Sequence, residues 1–118
     1  MKLKDIIDII EAEVIVGDET LLGKNIEVVC GSDLMSDVLS LYKPKSLLLT
    51  GLTNSQVVRT AEMADMLSVC FVRGKQPQND TIELAKEKSI SLLSTKYTMF
   101  ESCGRLYQKG LRGVDDGK

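Results

Sequence analysis

The chain has 118 residues, 43% of them hydrophobic, a formal charge of -2 and no histidine. That length supports one domain whose core needs neither disulfides nor metal. The near-neutral charge excludes the cationic footprint of a nucleic-acid binder. The missing histidine removes Ser-His and Cys-His nucleophiles and the usual zinc chemistry.

The apolar runs are too short for a transmembrane helix. Acidic residues thread the N-terminal stretch MKLKDIIDIIEAE, unlike a signal peptide, so a cytoplasmic location is expected. Cys30, Cys70 and Cys103 have no CxxC spacing, and two of them fall in predicted strands. They read as buried thiols acting as small hydrophobes, not as a disulfide or metal set.

Leu3, Ile6, Ile7 and Ile10 recur at helical spacing, so the first dozen residues predict an amphipathic helix. Glu13 to Val16 alternates as an edge strand would. Gly17 to Asn25 superficially resembles a phosphate-binding P-loop. Five residues separate Gly17 from Gly23 where that motif needs four, and Asn25 stands where a Mg²⁺-binding hydroxyl should be. The segment is read as a turn.

Ile26 to Cys30 predicts a strand, followed by a helix with Leu34, Met35, Val38, Leu39 and Leu41 on its apolar side. Ser32 or Asp33 is the expected N-cap, and Pro44 closes the region. Ser46 to Thr50 and Ser68 to Val72 are continuous apolar runs bracketed by Gly51 and Gly74, the pattern of strands buried on both faces. Between them, Ser55 to Met66 predicts a helix, with Thr53 and Gln56 as a capping box. This is a βαβ unit, and it requires a parallel sheet.

After the polar loop Gly74–Asn79, Asp80 and Glu83 suggest a capped helix. Ile90 to Leu93 predicts a strand. Ser94 or Thr95 should cap a last helix bearing Tyr97, Met99, Phe100, Leu106 and Tyr107. The expected fold is a three-layer α/β/α sandwich with a mostly parallel sheet of four to five strands. One domain should span residues 1–111, with a flexible tail at 112–118.

In open parallel sheets, ligands bind where loops leave the C-terminal ends of strands. The candidate ligand-binding residues are therefore Gly31, Ser32, Asp33, Thr50, Gly51, Thr53, Asn54, Arg73, Gly74, Lys75, Ser94 and Thr95. Helix N-termini there favour an anion, and Arg73 and Lys75 add positive charge. Capping and turn geometry alone also account for the hydroxyls and glycines. No residue set predicts catalysis, a metal or a cofactor.

The runs Gly31–Leu39, Leu49–Asn54 and Phe71–Lys75, with Leu92–Thr95, Phe100–Glu101 and Gly104–Tyr107, together resemble the DRTGG domain. Such domains are similar to the N-terminal domain of HPr kinase/phosphorylase. The resemblance covers about Lys2 to Leu111, and it implies an α/β/α fold and commonly a homodimer. It further implies a regulatory or assembly role, in larger proteins beside CBS pairs or phosphotransacetylase domains. Free-standing versions accompany iron hydrogenase genes, which implies a redox partner. Many members carry Gly-Asp-Arg after the central strand, where this chain has Gly51-Leu52-Thr53-Asn54, so no role tied to that pair is carried over.

The expected function is a non-catalytic regulatory or ligand-binding module. The alternative is a sensor that binds a nucleotide or anionic phospho-metabolite at the strand-end loops. A small kinase or phosphotransferase is disfavoured, because the P-loop and histidine of a kinase domain are missing.

Overall fold

A computed structural model describes residues 1–41 and 43–113. The elements run α1 (Leu3–Ile9), β1 (Glu13–Val16), α2 (Glu19–Leu22), β2 (Val28–Gly31), α3 (Met35–Leu41) and β3 (Ser46–Thr50). They continue α4 (Ser55–Met63), β4 (Ser68–Phe71), α5 (Asn79–Lys88), β5 (Ser91–Ser94), α6 (Met99–Gln108) and β6 (Arg112–Gly113).

The strands form one sheet in the order β1-β5-β4-β3-β2-β6. Neighbours from β5 through β2 to β6 pair in parallel, and β1 lies antiparallel on β5. The sheet is therefore the expected mostly parallel one, with six strands instead of four or five. The extra strand is β6, which pairs Arg112 and Gly113 with Val28 and Val29. It lies at the start of the segment expected to fray. The remainder of that expected tail, residues 114–118, falls outside the described residues.

Side chains alternate along each strand and divide the core between two faces. Leu48 of β3, Val69 and Phe71 of β4 and Leu92 of β5 pack with Val38, Val57, Val58, Ala61 and Ala85 of α3, α4 and α5. Leu47 and Leu49, Cys70 and Leu93 point the other way, onto Leu3 and Ile6 of α1 and Leu106 of α6. Every residue of β3, β4 and β5 is buried. That two-sided burial is why these strands read as unbroken apolar runs.

Several boundaries and caps differ from expectation. The turn at 17–25 contains the short helix α2, capped by Asp18, whose Oδ1 accepts from the Leu21 N–H at 2.9 Å. Strand β2 starts at Val28, because the Ile26 N–H instead donates to the Met1 carbonyl. Helix α4 stops at Met63 and the chain turns at Asp65, which is left-handed (φ 57). Its cap is Asn54, not Thr53: Asn54 Oδ1 accepts from the Gln56 N–H at 3.1 Å. Helix α5 begins after Gln78 with no side-chain cap, so Asp80 and Glu83 lie inside it.

Asn54→Ala should therefore destabilise the domain by about 1 kcal/mol, the usual value of an N-cap. Thr53→Ala should cost less at the helix end. Urea unfolding of both variants checks this, and equal losses would contradict the cap assignment.

Candidate functional site

The C-terminal ends of β2, β3, β4 and β5 share one edge of the sheet, and the twelve candidate residues lie along it. The structure gathers them into two groups. The first surrounds Gly51. Asp33 does not cap α3. Its Oδ1 accepts from the Thr50 hydroxyl at 2.9 Å and from the Gly51 N–H at 2.7 Å, linking the ends of β2 and β3. The Thr50 Oγ1 accepts in turn from the Leu52 N–H. Ser32 makes the local turn instead, its Oγ accepting from the Leu34 N–H.

A Cβ at Gly51 would stand 3.5 Å from Arg73 Nη2 and 3.6 Å from each Asp33 carboxylate oxygen. A carboxylate and a guanidinium thus converge over this glycine, and its lack of a side chain keeps the space open. Thr53 is tied down through its carbonyl, which accepts from the Thr81 hydroxyl at 2.9 Å and the Gln78 N–H at 3.3 Å.

The second group locks the loop after β4 to the loop after β5. Arg73 (φ 59) and Gly74 (φ 70) are consecutive left-handed residues. The Arg73 N–H donates to the Tyr97 carbonyl and the Gly74 N–H to the Thr95 carbonyl, both at 2.8 Å. The Lys75 N–H donates to the Val72 carbonyl. These three amides are consumed by the protein, so the loop is not an open amide cradle for an anion. Ser94 and Thr95 are buried and cap nothing. The Ser94 hydroxyl donates to the Lys75 carbonyl at 2.8 Å, and the Thr95 hydroxyl to the Ile10 carbonyl at 2.6 Å. Helix α6 is capped by Thr98.

Chain topology gives this second group its interest. After β4 the chain passes to α5 on one face of the sheet, and after β5 to α6 on the other. Between strands whose connections diverge in this way, open α/β sheets leave a crevice that takes ligands. Here a cleft of about 470 Å³ occupies that place, lined by Glu11, Glu13, Gly74, Gln76, Ser94, Thr95, Lys96 and Tyr97. Its volume falls in the range of small-molecule pockets, roughly 300–1,000 Å³.

The cleft is polar and internally braced. Gln76 Nε2 donates to Glu13 Oε1 at 2.8 Å. The Tyr97 hydroxyl donates to Glu11 Oε2, and the Arg105 guanidinium lies 4.1 Å from the Tyr97 ring centroid. The hydrogen bond to Glu11 pushes the Tyr97 hydroxyl pKa up, with burial adding to it and Arg105 opposing. Glu11 is itself left-handed (φ 50), a conformation that costs energy in a non-glycine residue.

Sequence reasoning found Gly74, Ser94 and Thr95 of this cleft and missed Glu11, Glu13, Gln76 and Tyr97. The two glutamates arrive through antiparallel pairing of β1 with β5, in which Glu13 faces Ser94. The alternation at 13–16 announced a strand, and nothing in the sequence specified its partner. Among the described residues no group of three or more acidic, histidine or cysteine side chains gathers as a metal site would, and no helix is long and apolar enough to cross a membrane.

No curated protein sequence matches the chain significantly. Among solved structures it is similar to the CBS and DRTGG domains of the regulatory region of Clostridium perfringens pyrophosphatase, crystallised with an activator, diadenosine tetraphosphate. The likeness has a TM-score of 0.73 at 19% identity over 91% of this chain, and the chain spans 46% of that one. It concerns the fold. In sequence, the DRTGG domain family matches residues 5–108, nearly the whole described chain. The chain belongs to the DRTGG domain family.

Proposed function

We propose that this domain is a non-catalytic regulatory module of the cytoplasm that binds a nucleotide or related phospho-metabolite at the ends of β4 and β5. The cleft at the divergence of these two strands is the observation that carries the reading. Its chemistry suits a nucleotide. Lys96 inside it, with exposed Lys75 on the adjoining loop, supplies charge for phosphates. Glu11 and Glu13 can accept hydrogen bonds from a base or ribose. The similar pyrophosphatase regulatory region, solved with diadenosine tetraphosphate, supports the same class of ligand. In this reading the ligand state is passed to a second copy of the chain or to a redox-enzyme partner.

A thermal-shift series with adenine and guanine nucleotides and diadenosine tetraphosphate, with and without Mg²⁺, tests it. A ligand at one hundred times its Kd should add about 2.7 kcal/mol, or roughly 10 °C for a domain of this size. The shift should disappear in a Lys75→Ala/Lys96→Ala variant. Absence of any shift would overturn the reading, and a shift that survives the double variant would move the site elsewhere. Mg²⁺-dependent nucleotide turnover would overturn the non-catalytic part.

A further inference from the structure

Asp33 and Arg73 face one another across Gly51 without closing on each other. Nη2 of Arg73 lies 3.5 Å from the place a Gly51 Cβ would take, and both Asp33 carboxylate oxygens lie 3.6 Å from it. The sum of those two distances is the most that can separate the charges. Yet they are not among the ion pairs that close within 4.0 Å between described residues. Asp33 Oδ1 is taken by the Thr50 hydroxyl and the Gly51 N–H. Among the described residues its Oδ2 accepts no hydrogen bond, and the exposed Arg73 guanidinium donates none.

Conformation does not require glycine at position 51, since its φ is not left-handed. Packing does not require it either, because a Cβ would meet its nearest neighbours at ordinary van der Waals distance. The missing side chain instead leaves a bare backbone floor between an acceptor and a donor fork, which a flat group can approach closely.

The gap has the size and polarity of one base. Guanine carries two donors, N1–H and N2–H, on one edge and two acceptors, O6 and N7, on the next. That acceptor pair is the one an arginine fork reads best. With hydrogen bonds of ordinary length, a guanine that donates N1–H to Oδ2 and accepts at O6 from Nη2 holds those two protein atoms roughly 5–6.5 Å apart. This separation lies between the two bounds. Adenine carries its single donor group, N6, between two acceptors, so it cannot offer the carboxylate two donors or the fork two adjacent acceptors. Gly51 follows β3 and Lys96 follows β5, two places along the sheet. Those strand ends are roughly 9.5 Å apart, a span that a nucleoside phosphate covers.

We propose that Asp33 and Arg73 are the base-reading end of the nucleotide site, selecting guanine over adenine above the open backbone of Gly51. The inference rests on the nucleotide reading of the strand-end cleft and deepens it by naming the base and the residues that read it.

Isothermal titration calorimetry of the full chain with GDP, IDP, XDP and ADP provides the test. GDP should bind at least about tenfold more tightly than ADP, within the discrimination given by one bidentate base contact. IDP, which lacks the N2 amine, should fall between them. Asp33→Asn keeps an oxygen for Thr50 and Gly51 and turns a donor toward the base. It should therefore reverse the order of GDP and XDP, because xanthine has a carbonyl where guanine has its amine. Gly51→Ala should unfold at the wild-type Tm or above and lose the preference for guanine. ADP binding as tightly as GDP would overturn the inference and leave the nucleotide reading standing. So would a preference for GDP that is undiminished in both Asp33→Asn and Gly51→Ala. Failure of all four nucleotides to bind would overturn both.

Discussion

Truncating Phe71 to alanine should cost about 3–5 kcal/mol of stability, the range for deleting a buried aromatic side chain. Phe71 is fully buried near the C-terminal end of β4 and is the bulkiest fully buried side chain among the described residues. It packs in the layer formed by α3, α4 and α5, and its backbone is held by Thr50 on one side and Ser94 on the other. Surroundings fixed by two strands collapse poorly into a cavity, so the upper half of the range applies. Domains of this kind have about 5–15 kcal/mol in total, and the variant would lie near the threshold of folding. Phe71→Leu keeps most of the volume and should cost well under half as much. Urea unfolding distinguishes the two. A loss below about 1 kcal/mol for Phe71→Ala would mean that the ring is not packed where the sheet places it.

The second large effect belongs to Cys70 at alkaline pH. Burial pushes its thiol up to about 12 from the ordinary 9.0, and a backbone hydrogen bond involving Thr95 opposes the shift only partly. The folded state therefore holds the proton more tightly than the unfolded chain. Stability from this group is fully present below about pH 9 and is lost as pH rises toward 12, at up to about 1.4 kcal/mol per pH unit. By pH 11 the wild type should have lost about 2–3 kcal/mol more than a Cys70→Val variant, which carries no proton to lose there. The comparison cancels the titration of tyrosines, lysines and the other two thiols. Parallel pH profiles for the two proteins would show that Cys70 is not sealed from water. Cys30 and Cys103 are half-buried, and their thiols are also shifted upward, by burial first in both. They should react with iodoacetamide in the native state, where Cys70 does not.

The parts of this fold that were legible in the sequence are those dictated locally. Leu47–Leu49 and Val69–Phe71 are buried on both faces, and such strands have no alternation to conceal. Gly51 and Gly74 mark their ends. The parallel sheet follows from the βαβ unit they enclose. Cap assignments fared worse, because a Ser, Thr or Asp before a helix has more than one available partner. Asp33 and Thr95 both look like caps and instead bond Thr50, Gly51 and Ile10, residues distant in the chain. Strand β6 is only Arg112–Gly113, too short to show a period, and exists because β2 offers it an edge. The strand-end cleft was half legible for the same reason. Its β5 wall is local, and its Glu11 and Glu13 wall depends on which edge β1 chooses.

The N-terminal ammonium of Met1 donates to the Ile26 carbonyl and to Asn25 Oδ1, while β6 lies along Val28 and Val29. Both described ends of the chain are thus moored to one short run beside β2. A unit whose ends meet at a single corner can be spliced into a loop of another protein as a cassette, entering and leaving through adjacent points. It can also be circularly permuted by a short bridge between those ends. The strand-end cleft lies at the far edge of the sheet, so such splicing would leave its mouth open.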